Sequence, residues 1–175
     1  MTWLRRRQGL LDGVVFSGGE PTAQPSLHSA TTKVKELGFE TGLHTSGVYP
    51  ARLAEVLPSL DWVGLDIKAP FDQYAAITGI PGSGAKTRLS LEAILGSGLA
   101  CELRTTVHPL ILTQDHLTAM ACELQSYGVR RWVLQEFRPH GCSDIELSTS
   151  PMGLDLILVA KLRELVPDIT IRPAT

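Results

Sequence analysis

The chain has 175 residues, a formal net charge of -2, 43% hydrophobic residues and 19% charged residues. That composition fits one compact folded domain over residues 1–175 and excludes a disordered chain, and the near-neutral charge excludes a basic nucleic-acid footprint. No apolar run is long enough to span a bilayer and no signal peptide opens the sequence, so the expected place is the cytoplasm, with no membrane partner.

In chain order, Met1-Thr2-Trp3-Leu4 and Arg5-Arg6-Arg7 read as the tail of a helix whose beginning is absent. Gly13 to Ser17 is a short apolar run ending in Gly-Gly, a buried strand. Pro25 opens a helix with Leu27, Ala30, Val34 and Leu37 on one face, and Gly38 stands where a C-cap belongs. Glu40 to Thr45 is the next strand, Ala51 to Leu60 a helix, and Trp62 to Ile67 a third strand. A Gly- and Pro-rich connection from Gly79 to Gly84 reads as a flexible surface loop. A helix over about Thr87 to Leu95 follows, then a strand from Ala100 to Val107. Gln114 to Tyr127 is amphipathic through Leu117, Met120, Ala121 and Leu124. Arg131 to Glu136 is a fifth strand. Met152 to Val166 is the last helix, with Leu154, Ile157, Leu158, Leu162 and Leu165 inward, and Ile169 to Ile171 a short final strand. Strands alternating with helices predict an α/β fold with a mostly parallel sheet, and both an open doubly wound sheet and part of a barrel fit the pattern.

In either architecture ligands bind at the carboxyl ends of the strands. Those ends carry Ser17-Gly18-Gly19-Glu20-Pro21, His44-Thr45-Ser46-Gly47, Asp66-Ile67-Lys68, Arg104-Thr105-Thr106 with His108, and Gln135-Glu136-Phe137-Arg138. A lined cleft and an ordinary polar rim both produce such an edge. Tandem glycines let a backbone approach a ligand closely, and Glu20 beside them can accept hydrogen bonds from an ammonium group; a tight turn needing positive φ explains the same glycines. Cys101, Cys122 and Cys142 form no CxxC or CxxxCxxC pattern and read as reduced thiols. Gly79-Ile80-Pro81-Gly82-Ser83-Gly84-Ala85-Lys86-Thr87 looks like a phosphate loop, but Ala85 separates the last glycine from the lysine and no strand precedes it. His44, His108, Asp66 and several serines could form a triad on paper, yet no Gly-x-Ser-x-Gly elbow is present.

Taken in series, FSGGEP, HTSG, VGLDIKAP, ELRTTVHP and WVLQEFRPHGC resemble the radical SAM superfamily. The order and spacing are similar to the subgroup of anaerobic ribonucleoside-triphosphate reductase activating proteins, close to the pyruvate formate-lyase activating enzymes. The resemblance implies a partial (β/α) barrel of the radical SAM type. It implies S-adenosyl-L-methionine (SAM) and a 4Fe-4S cluster as cofactors, and a glycyl-radical enzyme such as anaerobic ribonucleotide reductase as partner. In that family one electron from the cluster splits SAM into methionine and a 5′-deoxyadenosyl radical, which takes hydrogen from a glycine of the partner. Carried over by position, Gly18, Gly19 and Glu20 would bind the methionine amino group. Thr45 and Ser46 would approach the ribose or the carboxylate. Asp66 and Lys68 would lie beside the cofactor and the entering glycine loop, Arg104 would meet the carboxylate, and Gln135 and Arg138 would line the last wall. His44 departs from the acidic residue often found in pyruvate formate-lyase relatives.

A larger departure is that the sequence has no CxxxCxxC, the motif whose thiolates hold the cluster in that family. The expectation is therefore a barrel whose first strand and cluster loop are missing, truncated at its amino end and inactive as it stands. A non-catalytic barrel relative, acting as a binding or scaffold protein, is the alternative.

Overall fold

The computed structural model describes residues 2–150 and 153–174. In chain order the elements are α1 (Thr2–Arg5), β1 (Gly13–Phe16), α2 (Leu27–Glu36), β2 (Glu40–Thr45), α3 (Pro50–Val56), β3 (Trp62–Asp66), α4 (Tyr74–Thr78), α5 (Ser83–Ser97), β4 (Ala100–Val107), α6 (Gln114–Ser126), β5 (Arg131–Glu136), α7 (Ile145–Thr149), α8 (Leu156–Leu165) and β6 (Asp168–Arg172). The residues group into two compact units, Met1–Asp66 with Ala85–Glu102, and Ile67–Gly84 with Leu103–Thr175.

In the first unit β1, β2 and β3 run parallel in sequence order. Gly13 pairs with Glu40 through Phe16 with Leu43, and Gly42 with Trp62 through Thr45 with Leu65. Thr41 to Leu43 and Val63 to Leu65 are buried without alternation, as expected for parallel strands covered on both faces. Helix α2 buries Leu27, Thr31 and Val34. The helix α3 starts with proline at its first turn and gives way to a tighter turn at Leu57–Ser59, because Pro58 has no N–H to continue it. Leu43, Leu53, Leu65, Leu91 and Ile94 are fully enclosed, each contributing roughly 1.5–3 kcal/mol by leaving water.

In the second unit β4, β5 and β6 are also parallel. Arg104 pairs with Val133 through Val107 with Glu136, and Arg131 with Asp168 through Gln135 with Arg172. Trp132 is wholly buried, and its indole N–H donates to Thr105 Oγ1 (2.9 Å), whose hydroxyl donates to the Ile67 carbonyl (2.8 Å). Every polar atom of that chain is thereby satisfied inside the core. Helix α6 opens on a reciprocal cap between Thr113 and His116 and buries Leu117, Met120, Ala121 and Leu124, the stripe read from the sequence.

Four expectations change. The first strand forms but is not buried: residues of β1 alternate between exposed and half-buried, and Val15 is 52% exposed, because β1 is paired only with β2 among the described residues. The segment around Gly79–Gly84 is not a flexible loop: α5 begins at Ser83, whose hydroxyl donates to the Ile80 carbonyl (2.7 Å), and Ser83 and Gly84 are buried. A Cβ on Gly84 would stand 1.9 Å from the Phe71 carbonyl oxygen, so close packing demands glycine there. Helix α8 begins at Leu156 with Asp155 as its N-cap, so Leu154 precedes the helix, and Ile157 is exposed while Leu158, Val159 and Leu162 are buried. The expected start at Met152 lies outside the described residues. The short helices α4 and α7 have no counterpart in the sequence reading.

Candidate ligand site at the strand ends

The first unit gathers its polar groups around one carboxylate. β1 stops at Phe16, and Gly18 and Gly19 turn the chain with φ of 92° and 57°, which L side chains rarely adopt. An added Cβ at either would meet nothing within 4 Å, so their backbone borders open space. The turn delivers Glu20 back toward β2. Its Oε1 accepts from the Thr22 N–H (3.1 Å), the Thr22 hydroxyl and the Thr45 hydroxyl (2.7 Å); its Oε2 accepts from the Ser46 N–H (2.7 Å) and the Ser46 hydroxyl.

Five donors on one carboxylate fill its roughly four lone-pair directions. Burial raises the Glu20 pKa, but the bonds from Ser46, Thr22 and Thr45 outweigh it and hold the group below the ordinary value. Glu20 is therefore an ionised hub. An ammonium nearby would gain charge attraction from it, while fresh hydrogen bonds would come from the backbone of the glycines. The network runs on: Gly47 N–H donates to Thr45 Oγ1 (3.0 Å), Thr87 Oγ1 to the Ser46 carbonyl (3.1 Å) and Ser90 Oγ to the Gly47 carbonyl (2.7 Å). Thr22, Thr45, Thr87 and Ser90 are all buried.

Of the residues expected at the site, the structure brings Glu20, Thr45 and Ser46 into direct contact, with Gly18 and Gly19 leading into them. Asp66 ends β3, half-buried, and the register and the alternation of side chains put it on the same side as Trp62, Gly64 and, across the pair, His44. The His44 ring meets Trp62 edge to face at 5.0 Å. In the second unit β3 has ended before Lys68, whose N–H donates to Tyr74 Oη (2.9 Å) and whose side chain is exposed. Arg104 lies half-buried on β4 and its carbonyl accepts from the Ile67 N–H (2.8 Å). Gln135 is half-buried near the end of β5, and Arg138 is exposed just past it.

Sequence reasoning missed Thr22, Thr87 and Ser90, and gave Gly47, the last residue of the second strand-end motif, no role of its own. A signal was available for two of them: Thr87 and Ser90 share a helical face with Leu91 and Ile94, so they are hydroxyls on an apolar stripe. The triad reading falls at His108, whose Nε2 pairs with the Leu147 carbonyl (3.0 Å) and whose Nδ1 accepts from the Leu110 N–H (3.2 Å). The phosphate-loop reading falls too, since helix α4, not a strand, leads into Gly79.

A glycine turn opening beside a hydrogen-bonded carboxylate at the strand ends of a parallel α/β protein leaves backbone free of neighbouring atoms, where a small ligand can approach. The radical SAM superfamily profile matches residues 1–121, and the chain belongs to that superfamily. It is 26% identical over 148 residues (81% of this chain) to a Methanocaldococcus jannaschii protein named as a glycyl-radical enzyme activating enzyme. It is 38% identical over 66 residues (37% of this chain) to the 7-carboxy-7-deazaguanine synthase of Thermococcus kodakarensis. The chain spans 61% of the first relative's length and 26% of the second's. Among solved structures, a domain of a pyruvate-formate lyase-activating enzyme from Bacteroides vulgatus superposes with a TM-score of 0.66 at 14% identity, covering 91% of this chain and 98% of that one. That likeness shows the fold, in agreement with a partial barrel.

The superfamily implies SAM and an iron–sulfur cluster. The open, positive-φ glycines and the satisfied carboxylate beside them fit the methionine end of SAM, which carries an ammonium group. The cluster has no such fit here. Cys101, Cys122 and Cys142 form no disulfide, and among the described residues no three His, Cys, Asp or Glu side chains converge as metal ligands.

Proposed function

We propose that this chain is the SAM-binding portion of a glycyl-radical activating enzyme, acting on anaerobic ribonucleotide reductase or a related partner. The observation that carries the reading is the Gly18-Gly19 turn locked to Thr45 and Ser46 through Glu20. Similarity over 148 residues to a protein named as a glycyl-radical enzyme activating enzyme supports the choice of subtype. Gly18, Gly19 and Glu20 would hold the methionine end of SAM, which in full-length members of the superfamily would supply radical chemistry for hydrogen abstraction.

This chain's own residues bind and orient. The backbone of Gly18 and Gly19 meets the methionine amino group, and Glu20 holds that backbone in place while contributing negative charge. Ser46 and Thr45 keep the end of β2 against the loop, and Asp66 is assigned to the cofactor from its position at the end of β3. Lys68, Arg104, Gln135 and Arg138 are assigned to the cofactor and the glycine loop by resemblance alone. No electron-transfer step is assigned to these residues, so the chain by itself binds SAM without cleaving it.

Two measurements test this. In amide NMR of the isolated chain, S-adenosylhomocysteine should shift Gly18, Gly19 and Ser46, and no shift there would overturn the site. Anaerobic reconstitution with iron and sulfide should leave no stable four-iron cluster, and stoichiometric cluster with SAM cleavage would overturn the division of labour. Reading the nucleotide sequence upstream of Met1 separates the enzyme from a non-catalytic relative: an in-frame CxxxCxxC supports the enzyme, and stop codons there sink it.

A further inference from the structure

The second unit contains a cavity of about 310 Å³ that none of the expected site residues lines. It sits where β4 and β5 end. Val107 and Glu136, the last residues of those strands, are register partners. Side-chain alternation puts Glu136 on the face of Trp132 and Leu134. The opposite wall is formed by Leu112, Leu117 of α6 and Leu158 of α8, all buried. Gln114 and Asp155, at the starts of α6 and α8, complete it.

The chemistry of this lining is lopsided. Its walls are apolar, it carries two carboxylates, and it contains no Lys, Arg or His. Glu136 Oε2 accepts from the Ala174 N–H (3.2 Å), and Asp155 Oδ1 caps the Ile157 N–H (2.9 Å) while Oδ2 meets Gln114 Nε2 at 3.5 Å. Neither carboxylate is in an ion pair among the described residues. Glu136 is half-buried at the rim of these apolar walls and Asp155 is exposed; a carboxylate so placed favours a cation that brings its own apolar body, since such a ligand removes hydrocarbon from water and meets the charge in one step. An apolar cavity of about 150 Å³ takes one benzene ring, so this one takes a ring with a short chain attached.

We propose that this cavity binds an organic monocation, an ammonium or guanidinium group on an aromatic or branched apolar body, with Glu136 as the charge partner. The group reaches it either on a free amine or on a lysine or arginine side chain of a polypeptide. The inference does not rest on the SAM reading, because no residue of the glycine loop lines the cavity.

The test titrates the full chain, followed by methyl NMR at Val107, Leu117 and Leu158. The probes are phenethylamine, its neutral analogue phenethyl alcohol, its anionic analogue hydrocinnamate, and acetyl-phenylalanyl-lysine amide. The amine or the lysine peptide should bind about tenfold more tightly than the alcohol, the factor one charge-assisted hydrogen bond provides, and the anion should not bind. Preference for the free amine over the peptide identifies a small-molecule source, and the reverse a polypeptide source. Glu136→Gln should remove the preference for the cation while leaving the alcohol's affinity unchanged, and it spares the helix cap at Asp155. Leu154→Trp, which fills the cavity, should abolish binding of every probe. Equal binding of amine, alcohol and anion, an unchanged preference in Glu136→Gln, or no methyl shift with any probe would overturn the proposal.

Discussion

The two units solve the same problem differently at the carboxyl ends of their strands. In the first, loop, strand end and helix are tied together by hydroxyl and amide donors that converge on Glu20 and continue to Thr87 and Ser90. In the second, the core is closed by Trp132 over Thr105, and the strand ends open into an apolar cavity with Glu136 at its edge. A ligand edge can be set by a satisfied polar network or left as unfilled volume. The first kind is stiff and tolerates little change in donor or acceptor, because each buried polar group that loses its partner costs free energy. The second tolerates filling.

The sharpest way to break the second unit is Gly84→Ala. With the new methyl forced against the Phe71 carbonyl, α5 must shift, and the loss should be about 3 kcal/mol, at the top of the overpacking range, read by urea unfolding. Glu20→Gln comes next, in the first unit. The amide nitrogen that replaces one carboxylate oxygen cannot accept from the donors bonded there, so the loss should be about 2 kcal/mol. Amide hydrogen exchange should quicken at Thr22 and Ser46 and stay unchanged at Trp132 and Val133. Equal acceleration in both units would show that the network is not local.

Acid separates the units more gently. The Glu20 pKa is lowered in the folded state, so the stability it contributes is present above the ordinary glutamate value of about 4.3 and is lost as pH falls through its lower folded value. Asp61 behaves the same way, lowered by the Lys35 ammonium and the Thr41 N–H. Denaturation midpoints measured from neutral pH downward should fall below that value in the parent chain and fall less in Glu20→Gln. The smallest effect is Lys35→Ala. Its ion pair with Asp61 (2.8 Å) is exposed, so removing it should cost at most about 1 kcal/mol, and salt should erase the difference.

Much of the architecture was legible because apolar runs such as Gly13 to Phe16 and Arg131 to Glu136 are too short for helices and stand between longer segments with a helical stripe. The stripe of α6 was readable from its helical period, with Leu117, Met120, Ala121 and Leu124 on one face. What failed was local. Gly82-Ser83-Gly84 has poor helix propensity, yet α5 begins inside it, because Ser83 is bonded to Ile80 and Gly84 packs against Phe71. Ile157 belongs to an apolar run but is exposed, since the face of α8 was decided by Leu158, Val159 and Leu162.

By itself the sequence determined the strand–helix alternation and the family. It also determined which residues stand at the strand ends, because these depend on composition and period along the chain. Tertiary structure decided what those residues do. Glu20 could be read as a ligand group from its neighbours in sequence. Only the pairing of β1 with β2 reveals that Thr45 and Ser46, some twenty-five residues away, already occupy its carboxylate. The cavity beside Glu136 was equally invisible, since empty volume is a property of packing between elements and leaves no mark in any one of them.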